Sequence, residues 1–159
     1  MEISWIDVVT CEHQSLSFDL LFDTRYKPRR GTQRSAGLDV ASPIDIVVPP
    51  HEHRMIPLTL SWEVKRVKPG YTTFVSMVPR SGLAKNLRVS LTNSPGIIDQ
   101  DYKGEWCANV LNLGDKDFEI SAGDYIAQCI IHVVPDIPEL NVFCSGAIRG
   151  TGGFGSTGR

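Results

Sequence analysis

The chain has 159 residues and a formal net charge of -2, with 42% hydrophobic and 21% charged residues. That length supports one domain with a real core, and the near-neutral balance argues against a general nucleic-acid binder, which would be basic. No apolar run approaches the roughly 20 residues of a membrane helix, and Met1-Glu2-Ile3 lacks the basic and apolar regions of a secretion signal, so a cytoplasmic protein without membrane partners is expected.

In chain order the pattern is β. Short runs of Val, Ile, Thr and aromatics at residues 3–9 and 17–21 predict two strands. A basic cluster follows, Arg25, Lys27, Arg29, Arg30 and Arg34, which reads as a solvated loop. Further strands are predicted at 44–48, 55–60 and 71–78, punctuated by Pro49-Pro50 and Pro69-Gly70. One or two helical turns are expected at 81–86, straight after Pro79-Arg80. Strands at 88–91, 106–111, 118–120 and 125–134 complete the series, with turn signals at Ser94-Pro95-Gly96, Gly114-Asp115 and Ala122-Gly123-Asp124. Pro135-Asp136-Ile137-Pro138 reads as a hinge. Many short strands at this spacing indicate an all-β sandwich or jelly-roll-like barrel. Cys11, Cys107, Cys129 and Cys144 are scattered without a C-x-x-C, so free thiols in a reducing compartment are expected rather than zinc or disulfides.

The final segment is the most distinctive: five glycines fall within residues 150–158, around Phe154, between Arg149 and the pair Ser156-Thr157. Glycine loses too much backbone entropy for such a run to form a helix or packed strand. Its N–H groups, hydroxyls and the Arg149 fork suit phosphate oxygens, and Phe154 offers a face to a base. Gly150, Gly152 and Gly155 satisfy G-x-G-x-x-G, but no helix follows, so a dinucleotide fold is excluded. Four clusters precede this arm. Residues 36–39 place Asp39 on a strand entered through Gly37. Residues 79–84 place Arg80 and Ser81 at a helix start, where unpaired N–H groups suit an anion. Asn93 precedes the segment 96–105, and residues 123–128 end on Gln128.

Alone, each cluster reads as a bulge, cap or turn. Together and in this order, with GIIDQDYKGE and RGTGGFGSTG among them, they resemble the trimeric dUTP nucleotidohydrolase (dUTPase) family. The resemblance implies a jelly-roll-like β-barrel with one short helix over 1–144, a mobile C-terminal arm over 145–159, and a homotrimer with shared active sites. It implies magnesium-assisted attack of water on the α-phosphorus of dUTP, giving dUMP and pyrophosphate, keeping uracil out of DNA and supplying dUMP for thymidylate synthesis. Asp99 matches the general base. Arg80, Ser81, Gly82 and Gln128 match contacts to the triphosphate, and Arg149, Gly155, Ser156 and Thr157 match contacts made by the arm. The backbone of Gly96, Ile97, Ile98 and Cys107 would read uracil with Asn93 beside it. Tyr102 would stack under the deoxyribose, and Phe154 would close over the base. Magnesium would be held by phosphates and water without a direct protein ligand, with Asp39 organising those waters and Arg80.

The chain departs from the family pattern in places. Arg88 stands where glycine is common, so the short helix is expected to end differently. Pro95 removes an N–H inside the uracil hairpin, and Tyr125 replaces a basic residue without an expected effect on the chemistry. Residues 10–23 form an atypical N-terminal insertion, a loop or an added strand. Two other readings share the fold: a deoxycytidine triphosphate deaminase, which would need another acid/base residue near the base, and a non-catalytic interaction protein using the insertion.

Overall fold

The computed structural model describes residues 6–137 together with 151 and 152. The first strands, β1 (Ile6–Glu12) and β2 (Leu16–Asp23), form an antiparallel hairpin closed by mutual backbone bonds between His13 and Leu16. Arg66 donates to the carbonyls of His13 and Gln14, holding the turn. β2 alternates as a half-buried strand must, with Leu16, Phe18, Leu20 and Phe22 buried. Residues 10–23 are therefore most of a hairpin, and one whose second strand belongs to the core.

The chain continues through β3 (Leu38–Ala41), β4 (Ile46–Val48), β5 (His53–Pro57), β6 (Leu60–Val67) and β7 (Tyr71–Pro79) to the helix α1 (Ser81–Leu87). It then forms β8 (Val89–Leu91), β9 (Gly96–Asp99), β10 (Cys107–Asn112), β11 (Phe118–Ile120) and β12 (Tyr125–Pro135). The described residues assemble into antiparallel sheets ordered β1-β2-β6, β5-β10-β8, β4-β11 and β3-β12-β7-β9. The all-β, jelly-roll-like expectation holds.

Two local readings change. The predicted strand 55–60 spans a break at Leu58-Thr59, where Thr59 takes φ 50°, and its ends belong to β5 and β6. β6 itself escapes a reading by apolar content because Glu63, Lys65 and Arg66 interrupt it. Its Leu60 and Trp62 are nonetheless buried, and Lys65 pairs with Asp19 across β2 at 2.6 Å. Trp62 is the centre of the core: Phe18 and Trp106 each meet it edge-on at 6.0 Å, the arrangement aromatic quadrupoles favour.

The helix ends in the left-handed conformation despite the missing glycine. Arg88 sits at φ 54°, ψ 35°, and its N–H bonds the Leu83 carbonyl. The hydrogen bond holds the cap while the Cβ strains it. Arg88→Gly is expected to raise stability by about 0.5–1 kcal/mol, the left-handed penalty less glycine's own entropy, measured as a higher urea midpoint at unchanged slope; a lower midpoint would mean that the strain is absent.

Candidate active site

Three adjacent strands place the polar cluster. In the sheet β3-β12-β7, Gln128 of β12 faces Asp39 of β3, and neighbouring Ala127 faces Pro79, the last residue of β7. Arg80 follows directly. Its Nε and Nη2 donate to the two Asp39 oxygens, each at 3.2 Å, and Nη1 donates to the Tyr125 carbonyl at 2.9 Å. Gln128 Nε2 donates to Asp39 Oδ1 at 3.3 Å. Asp39 is only 7% exposed, so its charge is tolerable because the Arg80 fork and an amide satisfy it. Gly37 is required here: a Cβ would run into the Gln128 side chain.

Asp39, Arg80 and Gln128 line a cleft of about 650 Å³ with Ser81, Gly82 and Leu83. A Cβ on Gly82 would meet nothing within 4 Å. Packing inside the chain therefore does not explain that glycine, whereas close approach of another molecule would.

A second group lies on β9 and the loop after it. β9 starts at Gly96, so Pro95 falls just outside the ladder and costs it no hydrogen bond. Asn93 Nδ2 lies 3.0 Å from where a Gly96 Cβ would stand, so a side chain there would press on the Asn93 amide. Tyr102 lies across Gly104, leaving no room for a Cβ there, and its hydroxyl donates to the Glu105 carbonyl at 3.1 Å. Burial pushes the Tyr102 phenol up, with smaller contributions from Cys107 and Glu105, and burial likewise raises the Cys107 thiol. Both stay protonated at neutral pH.

Asp99 and Arg80 stand well apart within one chain. β9 is the edge strand beside β7, with Asp99 opposite Phe74 and Ile98 opposite Val75. Arg80 lies six positions beyond Phe74, and at roughly 3.3 Å per residue the separation along the strand is about 20 Å. Asp39, Arg80, Ser81, Gly82 and Gln128 thus share one cleft, while Asn93, Gly96, Ile97, Ile98, Asp99, Tyr102 and Cys107 form the other group. Arg149, Phe154, Gly155, Ser156 and Thr157 lie outside the described residues.

Sequence reasoning undervalued Tyr125, whose carbonyl holds Arg80, and Arg29, whose backbone bonds Asp39 in both directions at 3.1 and 2.7 Å. Neither contact has a local sequence signal, since each depends on strands distant along the chain. Asp39→Asn is expected to lower stability by about 1–3 kcal/mol because it uncouples the Arg80 charge from its partner. Chemical denaturation checks this, and an unchanged midpoint would show that the pair carries no net stability.

The family model for dUTPase matches residues 25–158. The deoxyuridine 5'-triphosphate nucleotidohydrolase of Oryza sativa subsp. japonica is 39% identical over 133 residues, covering 82% of this chain and 73% of that protein. Among solved structures, native EIAV dUTPase matches with TM-score 0.60 and 26% identity over 79% of this chain and 95% of that one. The dUTPase from phage phi11 of S. aureus, described with a structural Mg(II) ion, shares the fold at TM-score 0.61 and 20% identity, over 80% of this chain and 99% of its own. With the family match spanning nearly everything after the N-terminal hairpin, the chain belongs to the dUTPase family.

Proposed function

We propose that this protein hydrolyses dUTP to dUMP and pyrophosphate in active sites shared between the chains of a homotrimer. The observation that carries the reading is the roughly 20 Å between Asp99 and Arg80 along β7, in a family whose named relatives act on deoxyuridine triphosphate. A base and the cations that oppose developing phosphate charge must act on one nucleotide. Chains that each supply one half solve this.

In this reading Asp99 accepts the proton of the water attacking the α-phosphorus. Arg80, Ser81, Gly82 and Gln128 receive the triphosphate in the cleft, with Arg80 held in line by Asp39 and the Tyr125 carbonyl. Uracil presents a carbonyl, an N–H and a carbonyl, and backbone groups of Gly96, Ile97 and Ile98 on the edge strand β9 would pair with them. Cytosine would set a donor against a donor, at about 1–3 kcal/mol per unpaired group. Neutral Tyr102 offers its ring to the deoxyribose and leaves no space for a 2′-hydroxyl. Arg149, Phe154, Gly155, Ser156 and Thr157 would close over the bound nucleotide from the arm.

The donor set suits a magnesium ion carried on the phosphates. Asp39 Oδ1 already accepts from Arg80 and Gln128 and Oδ2 from Arg80, so Asp39 would act on metal-bound water, not on the ion. Bound magnesium would screen the phosphate oxygens. The reaction would remove dUTP from the DNA precursor supply and provide dUMP for thymidylate synthesis.

Asp99→Asn should lower dUTP turnover by roughly 10²–10⁴-fold while leaving nucleotide affinity near that of the parent; near-normal turnover would remove Asp99 as the base. Asp99→Asn and Arg80→Ala chains, each inactive alone, should regain activity when co-assembled, since some mixed sites draw an intact residue from each. Light scattering on the same samples should give about three times the 17.6 kDa chain mass. Failure of every mixture to recover would place the site within one chain. Removal of the chain from Arg149 onward should leave the thermal midpoint unchanged and nearly abolish turnover, because the arm acts in the closed complex. Equal turnover by truncated and full-length protein would make the arm a linker.

A further inference from the structure

We propose that Arg29 is a polyphosphate-binding residue, held beside the Arg80 cleft by the ring of Tyr125. This rests on the reading of that cleft as the nucleotide site, and deepens it.

The basic cluster at 25–34 is not uniform. Arg25 is spent on Asp23, which takes Nε and Nη2, and Arg30 donates Nη1 to the Ser35 carbonyl at 2.6 Å. Arg29 differs. Its backbone is bridged to Asp39, so its Cα is fixed opposite the carboxylate that organises the cleft. Its exposed guanidinium has no carboxylate partner and no hydrogen-bond acceptor among the described residues. It stacks on Tyr125 with 4.0 Å between the guanidinium carbon and the ring centroid, and Arg80 lies 5.8 Å from the same centroid.

A cation over an aromatic ring is common and by itself means little. Here one ring serves two guanidinium groups. Arg80 has Asp39 to neutralise it and has committed Nε, Nη1 and Nη2. Arg29 keeps its whole fork available. The two centroid distances keep the guanidinium carbons no more than about 10 Å apart. A polyanion that reaches from the Arg80 cleft to Arg29 would gain a second cation that no carboxylate neutralises among the described residues. Tyr125 thus does two jobs: its carbonyl aims Arg80 and its ring aims Arg29.

The test uses the full-length protein and measures dissociation constants for inorganic tripolyphosphate, the imido analogue dUpNHpp and dUMP. Arg29→Gln should keep the parent's circular dichroism and melting temperature, because the bridge to Asp39 is made by backbone. It should weaken tripolyphosphate and dUpNHpp roughly tenfold, the loss of one charge-assisted contact, while dUMP binding stays as before. The difference should shrink as salt is raised. Tyr125→Leu should act in the same direction, since it removes the ring on which Arg29 stacks. Unchanged tripolyphosphate affinity in Arg29→Gln would overturn the proposal, as would equal losses for dUMP and dUpNHpp. Tripolyphosphate carries no base, so this outcome is decided separately from whether the unmodified protein turns over dUTP.

Discussion

A nearly buried carboxylate shared by three strands is the constraint on which the site depends. Asp39 on β3 receives the Arg80 fork from the end of β7 and the Gln128 amide from β12. Burying such a charge without these partners would be costly. The ladder must therefore hold the registers Gln128↔Asp39 and Ala127↔Pro79 together. A slip of one residue would turn Gln128 to the other face of the sheet and leave the carboxylate unmatched. Gly37 belongs to the same requirement, because a side chain there would occupy the space of Gln128. The groups that would meet phosphate are thus also groups that specify strand pairing.

The hairpin group follows a different logic. Among the described residues β9 has β7 as its ladder partner, and its last carbonyl, that of Asp99, accepts from the Tyr102 N–H at 3.1 Å. An edge strand is normally a liability in a sheet protein. Here it is short, four residues from Gly96 to Asp99, and the loop after it is tied down, the Tyr102 hydroxyl donating to the Glu105 carbonyl and Glu105 accepting from the Thr59 N–H at 2.6 Å. The side chains around it therefore hold a backbone surface in place, which is what recognition by main-chain groups requires.

The core supports both groups from behind. Phe18, Trp62 and Trp106 join β2 and β6 to the start of β10. The Trp106 N–H of the backbone bonds the Leu60 carbonyl at 2.7 Å, and the Leu58 N–H bonds the Trp106 carbonyl at 2.9 Å. Trp106 is only 2% exposed and stands directly before Cys107. The N-terminal hairpin, which precedes the family match, supplies Phe18 to this cluster and so contributes to the frame that carries the site.

Much of this was legible in the sequence. Alternating β-branched and aromatic runs marked most strands, because a half-buried strand needs an apolar residue at every second position. Glycine, proline and Asx residues marked the turns, since few others accept their dihedral angles. The clusters around Asp39, Arg80, Asp99, Tyr102 and Gln128 were legible only jointly, through their resemblance in order to the dUTPase family, because each alone reads as a bulge, cap or turn. β6 was not visible, since the charges on its outer face mask the alternation of Leu60, Trp62 and Val64. The left-handed end of α1 at Arg88 was not visible either, because a backbone hydrogen bond outweighs a side-chain preference that sequence reading must rely on. Only the tertiary structure could bring Arg29, Tyr125 and Arg80 together. Those relations are set by which strands become neighbours, and pairing between distant segments leaves no periodic trace in either segment alone.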